Sequence, residues 1–154
     1  MRQELRMVRN FSKIGKEYTN FRAYADEWWL ENGNFSLLHK INPLRIKYIV
    51  NQISLNIQSK KNKLNGLKII DIGCGGGLVC EPLSRLGAKV TGVDFVPQNI
   101  KIAKEHALKN NLKINYKLEN LNNLKINNKY DVILLLEVIE HIEDWKKIIK
   151  KIDK

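Results

Sequence analysis

Along the first third of the chain apolar positions recur at helical spacing. Residues 11–30, "FSKIGKEYTNFRAYADEWWL", set aromatics three and four apart with charges between them, which predicts an amphipathic helix ending near Asn32 and Gly33. Trp28 and Trp29 are expected to anchor it on the main body. "INPLRIKYIVNQISLNIQ" predicts a second helix over 41–58, with Pro43 in its first turn, where a missing N–H is harmless. The polar "SKKNKLNG" that follows reads as a loop. From residue 67 the period changes. Short β-branched runs alternate with helical stretches, predicting strand 67–72, helix 78–86, strand 89–94, helix 97–110, strand 113–118, strand 130–136 and a closing helix.

Such alternation predicts an α/β fold with right-handed crossovers and a mostly parallel sheet covered by helices on both faces. Two units are expected: an N-terminal helical segment, 1–62, packing on the core, and an α/β unit, 63–154. "VILLL" at 132–136 is apolar on both faces, as a central parallel strand should be. Only one helix follows it, so it is expected at a sheet edge, with C-terminal strands missing.

"IIDIGCGGGLVCEPL", residues 69–83, places four glycines within five residues between a predicted strand and a predicted helix. A loop this bare lets backbone N–H groups and a helix terminus approach a ligand, although a glycine cluster alone is equally a tight turn. The setting favours a ligand. Asp94 ends the next predicted strand, 21 positions after Gly73, where a carboxylate accepts hydrogen bonds from ribose hydroxyls. Charge then separates two nucleoside cofactors. A dinucleotide brings an anionic pyrophosphate, and its fingerprint wants glycine where this chain has Leu78. S-adenosylmethionine brings a sulfonium and an ammonium, for which Asp71 is an asset instead of a repelling charge. The spacing Asp71, Gly73, Gly75, Gly77 fits S-adenosylmethionine better; a nicotinamide or flavin is the alternative. Glu119, after the third strand, is a candidate for the adenine edge or an ordinary surface acid. Leu136, at the carboxyl end of the fourth strand, is a candidate nucleoside neighbour.

Composition narrows the partners. At 154 residues and 44% hydrophobic content the chain can bury one sizeable core. The formal charge of +11 comes chiefly from dispersed lysines, so it predicts a solvated surface and no nucleic-acid partner; "KKIIKKIDK" at 146–154 reads as the polar face of a helix. No run approaches the ~18 apolar residues of a spanning helix, and the start lacks a secretion signal's apolar block, so a cytoplasmic location is expected. Arg2, Arg6 and Arg9, interrupted by Glu4 in a Ser-poor stretch, do not make a transit segment. Cys74 and Cys80 are too few for a disulfide framework and lack zinc-site spacing. They are read as packing residues.

"EVIEH", 137–141, begins where the fourth strand ends. On a helical turn Glu137, Glu140 and His141 would share a face, and two carboxylates with an imidazole suit Mg²⁺ or Mn²⁺. An acidic helix start, favoured by the macrodipole, is an equal alternative.

Together these residues resemble the ubiquinone-biosynthesis O-methyltransferases, with the Rossmann-like fold of class I S-adenosylmethionine-dependent enzymes. The likeness rests on the "WW" pair, "LHKINPLRIKYI", "DIGCGGG", "VTGVD" and "EVIEH", and spans the chain from about residue 17. "INPLR" is more specific than the glycine loop. The resemblance implies that Arg45, Gly73, Asp94 and Leu136 hold the cofactor, with Arg45 meeting its carboxylate, and that Glu137, Glu140 and His141 match positions proposed as metal ligands. It implies methyl transfer to a hydroxyl of a polyprenylated catechol or hydroquinol. An ion chelated by the catechol would lower the phenol's pKa, or His141 would act as general base. It further implies peripheral contact with the inner membrane that carries the lipid substrate. The family continues beyond the length seen here, so two alternatives stand beside an enzyme: half of a split methyltransferase, with a separate C-terminal half or a ubiquinone-biosynthesis complex as partner, and a remnant that only binds S-adenosylmethionine.

Overall fold

The computed structural model describes residues 24–57, 64–120, 126, 130–141 and 145–152, with backbone alone for His141, Lys151 and Ile152. Strands β1 (Lys68–Ile72), β2 (Lys89–Asp94), β3 (Asn115–Leu118) and β4 (Val132–Leu135) form one sheet in the order β3-β2-β1-β4, parallel throughout. Helices α1 (Ser36–Asn56), α2 (Cys80–Arg85), α3 (Pro97–Lys109) and α4 (Trp145–Ile152) accompany it, with 3-10 turns at Ala25–Glu27 and Ile139–His141. The α/β alternation and parallel sheet expected from the apolar pattern are both present.

β1 and β2 are buried from their second residue onward. Successive side chains leave a strand on opposite sides, so full burial requires cover on both faces. On one face Ile69 and Val90 pack with Ile49 and Ile53 of α1, Leu83 of α2 and Ile100 and Ala103 of α3. These helical residues recur at offsets of three and four, which turns one stripe of each helix to the sheet. The other face carries a smaller cluster of Ile70, Ile72 and Val93, against which Ile133 and Leu135 of β4 and Ile126 and Tyr130 of the β3–β4 connection pack.

Several boundaries depart from the sequence reading. Over 24–30 the chain makes i+3 turns, Glu27 N to Tyr24 O at 2.9 Å and Trp28 N to Ala25 O at 3.2 Å, in place of the expected helix; the rest of that segment lies outside the described residues. The cause is tertiary, since Trp28 and Trp29 are drawn to different partners. α1 starts at Ser36, so Pro43 is an interior residue and not a first-turn one. Its ring removes the N–H that would reach the His39 carbonyl. The added first turn is held from outside: Phe35 stacks on Trp28 with centroids 3.9 Å apart, and His39 Nε2 lies 2.8 Å from the Trp28 carbonyl.

β1, β2 and β3 run outward in one direction and β4 lies on the other side of β1, so the strand order reverses between β1 and β4. A crevice opens at the carboxyl ends there, the place where open α/β sheets bind ligands. β4 pairs with β1 alone among the described strands, as expected of an edge, and only Leu134 in it is buried.

Candidate cofactor-binding site

The glycine loop leaves β1 through three residues with positive φ: Gly73 at 78°, Gly75 at 53° and Gly77 at 91°. L-residues avoid this region, so the turn demands glycine. Space demands it again. A methyl group at Gly73 would overlap Val138, at Gly75 or Gly76 the Trp28 indole, and at Gly77 the Tyr116 phenol. The missing side chains therefore seat protein groups, and what the crevice receives is backbone.

That backbone is largely committed inward. Gly73 N and Cys74 N donate to Val93 O at 2.7 and 3.0 Å, Gly77 N donates to Cys74 O at 3.0 Å, and Gly75 N donates to Asp94 Oδ2 at 2.9 Å. A phosphate-binding loop keeps such donors for its ligand. This one spends three of these four on the last two residues of β2 and the fourth on its own Cys74 carbonyl.

Two carboxylates lie beneath it. Asp71, 2% exposed, is pushed up to about 6 by burial; a Cys80 thiol at 3.4 Å pulls it back, Asp94 pushes it further, and Arg45 lowers it. Asp94 is also raised, first by burial, and its hydrogen bonds from Val96 N at 2.8 Å and Gly75 N oppose the shift. A positive charge would relieve both acids, and Asp71, beside the first glycine of the loop, would repel a pyrophosphate placed there. Residues holding S-adenosylmethionine need this sign, so the donor set fits that cofactor and not a pyrophosphate.

The predicted site residues converge in part. Arg45, on α1, meets Glu137 at 3.0 Å. Glu119 donates its backbone N–H to the Asp94 carbonyl at 3.0 Å, while Leu136 packs at the margin of the main core. Glu137 has left-handed backbone, φ 56°, and precedes the 3-10 turn, so it does not share a helical face with Glu140. No three His, Cys, Asp or Glu side chains gather as a metal site among the described residues; the His141 side chain lies outside them. Burial and the Asp71 and Asp94 charges keep the Cys74 thiol raised although its contact with Cys80 pulls it down, and Cys80 is raised further, first by Cys74 and then by burial. Protonated thiols in packing positions follow.

Sequence reasoning missed what supports the loop. Trp28 Nε1 donates to Asn99 Oδ1 at 2.8 Å, and Trp29 Nε1 to Gly76 O at 3.0 Å. The Trp29 ring stacks on His106 with centroids 3.5 Å apart, and His106 Nδ1 lies 2.6 Å from Oε1 of the buried Glu81, which Arg85 also approaches. Only the adjacent tryptophans carried a signal in the sequence.

Comparison with known proteins agrees with this geometry. The family model described as "Methyltransferase domain" matches residues 70–154. A ubiquinone biosynthesis O-methyltransferase of Pelagibacter ubique (strain HTCC1062) is 48% identical over 141 residues, 90% of this chain and 59% of that protein. The protein of that name from Mesorhizobium japonicum is 43% identical over 132 residues, 83% of this chain and 53% of its own length. The chain thus spans somewhat more than half the length of these relatives. Among solved structures, magnesium protoporphyrin IX methyltransferase of Synechocystis with bound SAM superposes with a TM-score of 0.65 at 24% identity, over 87% of this chain and 69% of that one. A likeness at that identity speaks for the fold. With the glycine loop, the acid-ended β2 and all of the sheet but the first two residues of β1 inside the matched span, the chain belongs to the methyltransferase-domain family.

Proposed function

We propose that this chain forms the cofactor-binding part of an S-adenosylmethionine-dependent O-methyltransferase that modifies a hydroxyl of a polyprenylated catechol or hydroquinol in ubiquinone biosynthesis. The observation that carries it is the pairing of buried Asp71 and Asp94 with a loop whose N–H donors are turned inward. Identities of 43–48% to relatives bearing that name support the substrate class.

In this reading Asp94 takes the ribose hydroxyls, Asp71 supplies negative potential under the methionine end, and Gly73 and Gly75 let the backbone approach. Arg45 meets the cofactor's carboxylate, exchanging it for Glu137, whose side chain is 65% exposed and free to swing away. Glu119 and Leu136 flank the adenosine. The bound cofactor supplies an already activated methyl group, so the protein's task is alignment of the acceptor oxygen and removal of its proton. His141 is the proposed base. The divalent-ion reading of Glu137, Glu140 and His141 stands beside it, since Glu137 and Glu140 are exposed and the His141 side chain lies outside the described residues; no step here passes through a metal. If these residues hold an ion, chelator removes the activity of a relative-length enzyme and Mg²⁺ restores it; indifference to chelator leaves His141 as base alone. Contact with the membrane carrying the lipid acceptor belongs to the same reading, and among the described residues no helix is long and apolar enough to cross a bilayer.

Calorimetric titration tests the cofactor assignment: S-adenosylmethionine binds, and Asp94→Ala abolishes the signal. An unchanged affinity in the variant removes the assignment. Turnover is tested on a chain of the relatives' length, or on this one with the remaining segment supplied.

A further inference from the structure

Asn99 sits in the first turn of α3 with 2% of its surface exposed, and the two ends of its amide face unlike partners. Oδ1 accepts from Trp28 Nε1 at 2.8 Å, and Nδ2 donates to Asp94 Oδ1 at 3.4 Å. An indole N–H can only donate, whereas an amide has one accepting and one donating end. Trp28 therefore fixes the accepting end of the amide. The carboxylate, which can only accept, asks for the same orientation from the other end, so the indole and Asp94 fix the amide between them.

Building on the reading of Asp94 as the ribose acid, we propose that Trp28 and Asn99 are positioning residues for the cofactor: the indole fixes the Asn99 amide, and the amide holds the Asp94 carboxylate in its ribose-accepting orientation. The carboxylate already takes short bonds from Gly75 N and Val96 N. With the Phe95 N–H as well, the protein engages most of the roughly four acceptor positions of the carboxylate and so fixes the side it turns to the ribose. The Asn99 bond steadies the acid both before and after the ribose arrives, alongside the backbone donors.

Trp28 is itself fixed well enough to serve as the reference. It is 7% exposed, stacked on Phe35 at an interplanar angle of 4°, seated on bare Gly75 and Gly76, and its carbonyl meets His39. Its neighbour Trp29 ties the same turn to the Gly76 carbonyl. The segment before α1 thus controls cofactor affinity through Asp94, without its indoles having to touch the ligand.

A double-mutant cycle separates this role from simple packing. S-adenosylhomocysteine is titrated into the chain carrying Trp28→Phe, Asn99→Leu or both, after thermal melting without ligand shows that each variant folds. Phenylalanine retains an aromatic face for Phe35 and the glycines while removing the indole N–H. Each single change should raise Kd by roughly three- to tenfold, the worth of one buried hydrogen bond, and the double variant should be no weaker than the worse single one. Losses that multiply, or an unchanged Kd in Trp28→Phe, overturn the proposal. Should the leucine variant fail to fold, Asn99→Asp keeps the shape and the Trp28 contact but replaces the donor with a second acid, and must weaken binding more than tenfold; wild-type affinity there overturns the proposal equally. If the unmodified chain itself does not bind, the cofactor reading falls first; if it binds and the variants match it, only the positioning roles fall.

Discussion

At the carboxyl ends of β1 and β2 the polar groups are buried, Asp94 bound to backbone and Asp71 to the Cys80 thiol; at the carboxyl end of β4 they are exposed side chains. Asp94 answers to Gly75 N, Val96 N and Asn99, and Asp71 lies in the sheet itself. Glu137 and Glu140 are both exposed, and Glu137 is fixed by one ion pair. The two sides of a single crevice thus differ in what determines them. The first is preorganised by strands that would exist without a ligand, and the second depends on side chains that can change partner.

Changes on the β1–β2 side should therefore cost most. Asp94→Ala removes the ribose acceptor together with the partner of Gly75 N and Val96 N, and should weaken S-adenosylmethionine binding at least about a hundredfold by calorimetry, since hydrogen bonds to a charged group are each worth about 1.5–3 kcal/mol. Gly77→Ala forces an L-residue to φ 91° against the Tyr116 hydroxyl. Strain and overpacking together should cost about 3 kcal/mol in denaturant unfolding. A loss under 1 kcal/mol would show that the loop relaxes freely, and the contrast with β4 would weaken.

Proton linkage probes the buried acid without altering shape. Asp71 binds its proton more tightly in the fold, up to about 6 against an ordinary 3.8. Between those values the folded chain retains a proton that the unfolded chain has released, so this contribution is complete at low pH and disappears as pH rises through about 6. Unfolding free energy should fall by up to about 3 kcal/mol across that window, and Asp71→Asn should flatten this part of the profile. Asp94 adds a slope of the same sign. Below pH 6, binding of a cationic ligand should release a proton, measurable as a buffer-dependent heat.

The β4 side should respond least to loss of its own acids. Arg45→Ala should weaken cofactor binding about tenfold, the worth of one charge-assisted hydrogen bond. Glu137→Gln should move stability by no more than about 0.5 kcal/mol, as expected of an exposed pair, and leave affinity unchanged or improved because Arg45 is freed. If Glu137→Gln instead harmed binding as much as Asp94→Ala, the two sides would be equally committed to the ligand.

The same division governs what could be read from the chain. β1, β2, Asp71, Asp94 and the glycine loop were legible because unbroken β-branched runs, an acid at each strand end and the need for positive φ all act within a few residues. The parallel order followed from the alternation of strands and helices. Pro43 misled, since a proline usually marks a first turn, and only contacts of Phe35 and His39 with Trp28 extend α1 ahead of it. The glycines were read as room for a ligand, whereas Val138, Trp28 and Tyr116 fill it from distant parts of the chain. Asn99 and the Glu81–His106 pair gave no periodic signal; a polar residue turned inward looks, in one dimension, like one turned to water.

The sign of the charge that the crevice accepts is tested most directly by titrating the unmodified chain at neutral pH with S-adenosylmethionine and, separately, with NAD⁺. Buried Asp71 and Asp94 beneath a loop with inward N–H groups predict saturable binding of the sulfonium compound and none of the dinucleotide. Saturable NAD⁺ binding with no response to S-adenosylmethionine would contradict the account.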